Sequence, residues 1–320
     1  MSYANFGTDD TALTTAMIQG LQIHFETTAK DIMKQSTLKQ VATVTNVKQL
    51  NLPMRALEFT PTMRRWASER ASQVGRTLEK YVKSFKYEIT PEIELEAVRQ
   101  EQWDLVASMM VESAVEAVLY PESELYSMIA ASDSVLGMDD TYMCSSSHAN
   151  SQNNKGSADF SLAELKAGRL AMRKFTRPNG RPFLVNPNVL IIHPDSEDLA
   201  NEIINSRLLI GYGGGSNTTA PHMNVLYNSI NTIISRPELS SGQFFLLDNR
   251  GGFKPWLFNQ PYGGYKWDKE GNTVSRFERD VYRFGMMYHF GISGTMFWYK
   301  WYGSKNGAWP TYTDPETVTG

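Results

Sequence analysis

Tyr282, Phe284, Met286, Tyr288, Phe290 and Ile292 place an apolar side chain at every second position without a break. Period two is the signature of a strand with one buried face. Strands in compact domains have a modal length of about 5–6 residues. So long a run therefore predicts an extended, elongated subunit. Phe297, Trp298, Tyr299, Trp301 and Tyr302 follow as a second aromatic, strand-like segment. With Lys300 these rings could stack on single-stranded bases. A buried strand face is the better reading, because large aromatics gain most from burial.

Upstream, Thr11 to Lys34 reads as a helix with Leu13, Ile18, Leu21, Phe25, Ile32 and Met33 as its apolar members. Residues 1 to about 50 otherwise look weakly core-like, as an extended arm would. Phe85, Tyr87 and Ile89 alternate with polar residues, as do Ile93, Leu95 and Ala97, and Thr90-Pro91 separates the two runs. Charge divides along this region. Arg64, Arg65, Arg70, Arg76, Lys80, Lys83 and Lys86 face only Glu69 and Glu79; then Glu88, Glu92, Glu94, Glu96 and Glu101 face Arg99. The pattern predicts a β-ribbon with one basic and one acidic leg. It is either a solvated surface of two signs or a loop lying on a neighbour of complementary charge.

Trp103, Val106, Ala107, Met110, Ala114, Ala117 and Val118 keep helical spacing from about Gln102 to Tyr120. Pro121 marks a kink or the first turn of a second helix, and Leu125, Met128 and Ile129 resume the pattern up to Gly137. Residues 139–160 read as a polar loop. Ser161-Leu-Ala-Glu164 is a capping box opening a helix to about Lys174. Pro178-Asn179-Gly180 is a turn, Val189–Ile192 a short apolar strand, and Asp195 or Ser196 a cap for a helix carrying Leu199, Ala200, Ile203 and Ile204. Further strands are expected around Asn231–Ile234 and Phe244–Leu247.

Catalytic and cofactor motifs are scarce. Gly211-Tyr-Gly-Gly-Gly-Ser216 lacks the Lys of a phosphate-binding loop and follows a helix, so it reads as a mobile loop. Cys144 and His148 could form a nucleophile–base pair of a hydrolase, or half of a zinc site. His24, His193, His222 and His289 are scattered, however, and supply no second half. Glu92, Glu94 and Glu96 share one strand face and read as solvated or partnered acids. No residue is assigned a catalytic, cofactor-binding or metal-binding role. The net charge of -3 and pI near 6.0 leave no cationic surplus for gripping nucleic acid. The chain could still line a space that holds DNA. A lone cysteine rules out an intrachain disulfide. Met1–Asp10 has neither the basic nor the apolar part of a secretory signal, and no run is long enough for a membrane span, so no membrane partner is expected.

Several segments then stand in a specific order: Pro61-Thr-Met-Arg-Arg-Trp66-Ala-Ser-Glu-Arg70, Phe85-Lys-Tyr-Glu-Ile89, Ile93-Glu-Leu-Glu96, Pro121-Glu-Ser-Glu-Leu125 and Ser147-His148. Phe175-Thr-Arg-Pro-Asn-Gly-Arg-Pro-Phe183 runs into Val189-Leu-Ile-Ile-His-Pro194, and Ile230-Asn-Thr-Ile-Ile234, Phe244-Phe-Leu-Leu-Asp248 and Pro255-Trp256 follow. Over roughly residues 50 to 300 this set resembles the major head subunit of Mu-like phages, a branch of the Hong Kong 97-type capsid proteins of tailed bacteriophages. The resemblance implies an α+β fold. Its parts are an N-terminal arm (1–50), an extended loop (51–100), a peripheral domain with a long spine helix (101–180 and 276–320), and an axial domain (181–275). It implies no enzyme activity and no cofactor. It implies self-assembly into hexamers and pentamers of an icosahedral head around double-stranded DNA held without sequence-specific binding. The expected setting is the virion, assembled in the host cytoplasm with portal and scaffold or cement proteins. Some relatives lose an N-terminal scaffolding segment; Met1 is read as arguing against one here. An encapsulin-like compartment shell is the first alternative, and the Cys144–His148 hydrolase a weaker one.

Overall fold

The computed structural model describes residues 9–57, 63, 65, 77–94, 103–177, 180–209, 222–269 and 281–313. In chain order the elements are α1 (Asp9–Met33), α2 (Leu38–Val41), β1 (Ala42–Thr45), β2 (Asn51–Leu57), β3 (Thr77–Lys83), β4 (Phe85–Ile89), β5 (Glu92–Glu94) and α3 (Trp103–Ala130). Then come β6 (Lys155–Gly156), α4 (Leu162–Lys174), β7 (Val189–Ile192), α5 (Glu197–Asn205), β8 (Leu208–Leu209), β9 (His222–Met223) and β10 (Thr232–Ser235). The chain closes with β11 (Phe244–Leu247), β12 (Trp256–Asn259), β13 (Tyr265–Lys269), β14 (Val281–Gly294) and β15 (Trp301–Ser304).

The long alternating run is β14, a single strand of 14 residues. Its C-terminal end pairs with β12, which in turn takes β1 in parallel. Its middle pairs antiparallel with β13 and, along its other edge, with β4. Its first residues, Val281–Arg283, pair with β5. Phe290 stacks on Tyr87 at 4.2 Å and on Phe258 at 5.4 Å, so one ring ties three strands together. Such pairs add about 0.5–1.5 kcal/mol beyond burial. Among the described residues the expected ribbon between the 85–89 and 93–97 runs does not form. Instead β4 and β5 lie end to end along β14. Thr90 precedes Pro91, and a residue before proline favours extended backbone over a tight reversal. Leu95 and Ala97 lie outside the described residues.

The second sheet has the order β10-β7-β11-β15-β6. β7 and β11 are buried at every position, which explains their unbroken apolar sequences. Period two sorts their side chains between two cores. Val189, Ile191, Phe245, Leu247 and Trp301 face the first, with Trp256, Phe258 and Phe290 of the other sheet. Leu190, Ile192, Phe244, Leu246 and Tyr302 face the second, beneath α4 and α5. α4 approaches so closely that a Cβ on Gly168 would sit 2.6 Å from the Tyr302 ring. The sheet joins residues on both sides of the expected peripheral and axial limits, since β15 pairs with β11.

α3 runs unbroken for 28 residues through Pro121, roughly 42 Å at helical rise. Pro121 has no N–H to offer the carbonyl of Ala117, and it divides the helix into two packing environments. Val106, Met110, Ala114 and Val118 pack on Phe25 and Ala29 of α1. Leu125, Tyr126, Met128 and Ile129 enter the first core, where Val41 and Ala42 also lie fully buried. The N-terminal 50 residues therefore supply core, contrary to the weak reading of their sequence. Two apolar residues in a row carry no period to detect.

Three local expectations are also corrected. Residues 139–160 are no plain loop: Asn154 is fully buried, accepts from Ser145 N and bonds His148 Nε2, and donates to the carbonyls of Met143 and Trp298. Ser161 caps α4 by accepting from Glu164 N at 3.2 Å, but the Glu164 carboxylate turns to Tyr302 and Ser304 instead of completing the box. Neither Asp195 nor Ser196 caps α5 through its side chain. His193 Nδ1 instead accepts from Asp195 N in a 3-10 turn, Pro194–Ser196. The closing aromatic segment is likewise broken by a 3-10 turn, Trp298–Lys300, before β15 begins. Pro178 and Asn179 lie outside the described residues, while Gly180 takes a positive φ of 78° and donates to Arg177 O.

One buried polar cluster locks the N-terminal segment, α3 and the second sheet together. Glu122, 2% exposed, accepts from Thr37 N at 3.0 Å, from Thr37 Oγ1 and from Arg236. Arg236 also donates to Thr37 Oγ1 at 3.0 Å and lies over the Tyr126 ring at 4.3 Å. Burial lowers the Arg236 pKa and Glu238 raises it; a guanidinium stays charged throughout. Glu122→Ala leaves that cation unpaired and is expected to cost about 3–5 kcal/mol in urea unfolding. A loss under about 1 kcal/mol would show that the cluster is not a lock. Gly168→Ala should destabilise by about 1–3 kcal/mol through overpacking, although alanine is the better helix former. A gain would mean that Tyr302 gives way.

Candidate assembly surfaces

β2 and β3 form a sheet of their own, in register from Asn51↔Lys83 to Leu57↔Thr77. This is a ribbon whose second leg, β3, falls within the expected basic run, while its first leg, β2, lies before that run. The readable signal was alternation, with Leu52, Met54 and Ala56 in one leg and Leu78, Lys80 and Val82 in the other. Pro53 obscured it, because proline is tolerated only in strands with an open edge. The ribbon is anchored at its root. Ser84 N donates to Leu50 O, Val82 is buried, and Lys80 Nζ donates to the carbonyls of Leu136 and Gly137, both at 2.9 Å. Burial lowers the Lys80 pKa, while Asp140 and Asp139 raise it. Tyr81, nearer the root, is 63% exposed, and further out Arg55 meets Glu79 across the strands at 3.4 Å in an exposed pair. Such pairs contribute about 0–1 kcal/mol. A two-stranded ribbon is marginal in water and needs a third surface for stability.

Of the expected basic set, Arg65, Lys80, Lys83 and Lys86 are described; Arg64, Arg70 and Arg76 lie outside the described residues, as do Glu69, Glu96, Arg99 and Glu101. Lys83 sits over the Phe85 ring at 4.7 Å and Lys86 lies 3.7 Å from Glu88. Glu92 and Glu94 are exposed on β5. The charges thus alternate along a surface and do not converge on a cleft. A groove of about 630 Å³ opens at the ribbon's root between Val47, Leu52, Met54, Met138, Phe253 and Phe297. Arg55, Arg177 and Lys254 are its charged lining, and no described carboxylate, histidine or cysteine faces it. A second cleft, about 380 Å³, lies between α3 and the β4–β14 pair, with Glu88 and Glu116 among its lining.

The structure does not bring Cys144 and His148 together as nucleophile and base. Cys144 is fully buried, and its sulfur receives the Ser132 hydroxyl at 3.2 Å and the Trp301 indole N–H at 3.1 Å. His148 stacks on Trp298 at 4.1 Å, with Nδ1 bonded to Thr141 and Nε2 to Asn154. Among the described residues no group of three or more potential ligands could hold a metal ion. His24 is exposed, the His222 side chain and the Gly211–Ser216 loop lie outside the description, and His289 meets Tyr262 edge-on. No described helix is long and apolar enough to cross a membrane. Burial pushes the Cys144 thiol up to about 12, with Ser132 and Trp301 pulling the other way. At pH 8 the thiolate is then roughly one part in ten thousand. Alkylation by iodoacetamide should follow global unfolding only; rapid native labelling would contradict this burial.

A model of the phage capsid protein family matches residues 78–302. No curated protein matches the chain. The subunit of the procapsid of bacteriophage JBD30 superposes with a TM-score of 0.50 at 15% identity, covering 95% of this chain and 78% of that one. The subunit of the capsid of an empty GTA particle gives 0.53 at 8%, covering 85% and 90%. The virus-like particle from Pyrococcus furiosus gives 0.53 at 10%, covering 90% and 98%. At these identities the likeness is one of fold, the α+β Hong Kong 97-type capsid fold. The family model spans most of the chain, including the ladder of β14, the second core and the part of the first core that follows residue 77, and the chain belongs to the phage capsid protein family.

Proposed function

We propose that this chain is the major head subunit of a tailed double-stranded DNA phage, of the Mu-like branch. Copies assemble into hexamers and pentamers of an icosahedral shell. The observation that carries the reading is the β2–β3 ribbon: seven paired residues per leg, with Val82 its one buried side chain among those described, on a chain of the capsid family. Such a ribbon gains its missing surface when it lies on a neighbouring copy. Many weak contacts of this kind on one lattice add through multivalency.

The proposed parts are the arm (1–50), the extended loop (51–100), the peripheral domain (101–180 and 276–320) with α3 as spine, and the axial domain (181–275). β4 and β5 would return the loop to the peripheral sheet through β14. The chain acts as a wall and not as a catalyst, in keeping with its buried, capped thiol. The negative net charge suits an enclosure that holds DNA without gripping it. Portal and scaffold or cement proteins would complete the particle, assembled in the host cytoplasm and carried in the virion.

The likeness to the Pyrococcus furiosus particle favours a second reading, an encapsulin-like compartment. Nucleic acid within purified shells separates the two, since a compartment would carry protein cargo instead. The shell reading is tested by shortening the ribbon. Replacing residues 54–80 with Asn-Gly, a two-residue hairpin turn, keeps the Pro53↔Tyr81 pair at its root. The variant is expected to remain folded by circular dichroism and to form no closed shells by electron microscopy, under conditions where the full chain does. Normal shells from it would overturn the ribbon's role.

A further inference from the structure

We propose that α4 and α5 are the two complementary halves of a head-to-tail contact between copies of this chain. The inference rests on the shell reading and names the surfaces that would close its rings. Both helices lie on one face of the second sheet, packing Leu162, Leu165 and Met172, and Ala200, Ile203 and Ile204, into the same core. Their outer faces carry opposite charge. α4 contributes Lys166, Arg169, Arg173 and Lys174, and its one acid, Glu164, is turned inward to Tyr302 and Ser304. α5 contributes Glu197, Asp198 and Glu202 and no cation. Except for the partly covered Arg169, all of these outer side chains are exposed. Among the described residues no ion pair joins the two helices, so each face stays charged within one subunit.

An apolar patch lies between them. Arg169 reaches the Val225 carbonyl at 3.5 Å, and Asn224 Nδ2 donates to the carbonyls of Ile203 and Ser206, so one turn touches both helices. Around that turn Leu170, Leu208, Met223 and Val225 are 53%, 56%, 87% and 77% exposed. An apolar centre with charged flanks is the usual anatomy of a protein interface. A surface basic at one helix and acidic at the next can meet a second copy either about a two-fold or head to tail around a ring, and the shell reading, whose rings are hexamers and pentamers, selects the head-to-tail form. The complementary partner is therefore a second copy of this chain.

Charge reversal tests it in the full-length protein. One variant carries Lys166→Glu, Arg173→Glu and Lys174→Glu; the other carries Glu197→Lys, Asp198→Lys and Glu202→Lys. Each alone places like charges across every contact. Each should raise the concentration for half-assembly by about tenfold or more, with the thermal unfolding midpoint confirming a folded subunit. All six changes in one chain should restore assembly to within roughly threefold of wild type. An equimolar mixture of the two variants should recover hexameric rings but not pentameric ones, because alternation around a ring needs an even number of members. The inference is overturned if the single sets assemble as wild type does, or if the combined chain, though folded, assembles no better than they do. It is also overturned if the mixture stops at dimers, or if the α4 set lowers only the nucleic-acid content of normal shells. Failure of the wild-type chain itself to form rings or shells would strike the capsid reading, a separate outcome from any of these.

Discussion

The main-chain hydrogen bonds of β14 hold this subunit together. One strand accepts β12 and β13 from the sequence just before it, and β4 and β5 from far upstream. Strands from opposite ends of the chain thus share a single ladder. Buried backbone groups must be paired, so each incoming strand is also satisfied by β14. Phe290, between Tyr87 and Phe258, repeats the same junction in side chains. The Glu122–Arg236–Thr37 cluster makes a second tie between distant segments, beside the point where α3 passes Pro121.

From these ties follows what the subunit cannot do alone. Both sheets use their faces for internal cores, and both long helices pack one side inward. β2 and β3 lie outside that plan. Their pairing is regular, but Val82 is the one buried side chain among those described, while Arg55, Glu79, Tyr81 and Lys83 stay exposed; Lys80 bonds Leu136 and Gly137, and Arg181 reaches the Met63 carbonyl. Under the proposed function, that exposed surface is what a lattice of copies would cover. The family and the fold agree with a protein whose work is done by contact.

Local patterns were legible in the sequence wherever period and burial coincide. β14, β7 and β11 and the spine of α3 were readable because each is apolar at the spacing its element demands, and the Ser161 cap because it spans only three residues. Partners at long range were not readable. Nothing in Phe85-Lys-Tyr-Glu-Ile89 says that it pairs with Phe290 and not with the run after Pro91. Likewise Val41 and Ala42 carry no period, Asn154 looks like loop until its four bonds are seen, and Glu164 fits a capping box until Tyr302 competes for its carboxylate. Of the candidate surfaces, the charge was visible but its assignment to strands was not, because Pro53 masks the alternation of β2.

The central claim is that the β2–β3 ribbon is completed by a neighbouring subunit. Amide hydrogen exchange reads this directly, since it reports local opening of backbone hydrogen bonds. The account predicts that the amides of Asn51–Leu57 other than Pro53, and those of Thr77–Lys83, exchange rapidly in dissociated subunits and slowly in assembled particles, while those of β7 and β11 are protected in both. Equal exchange of the ribbon in the two states would contradict it.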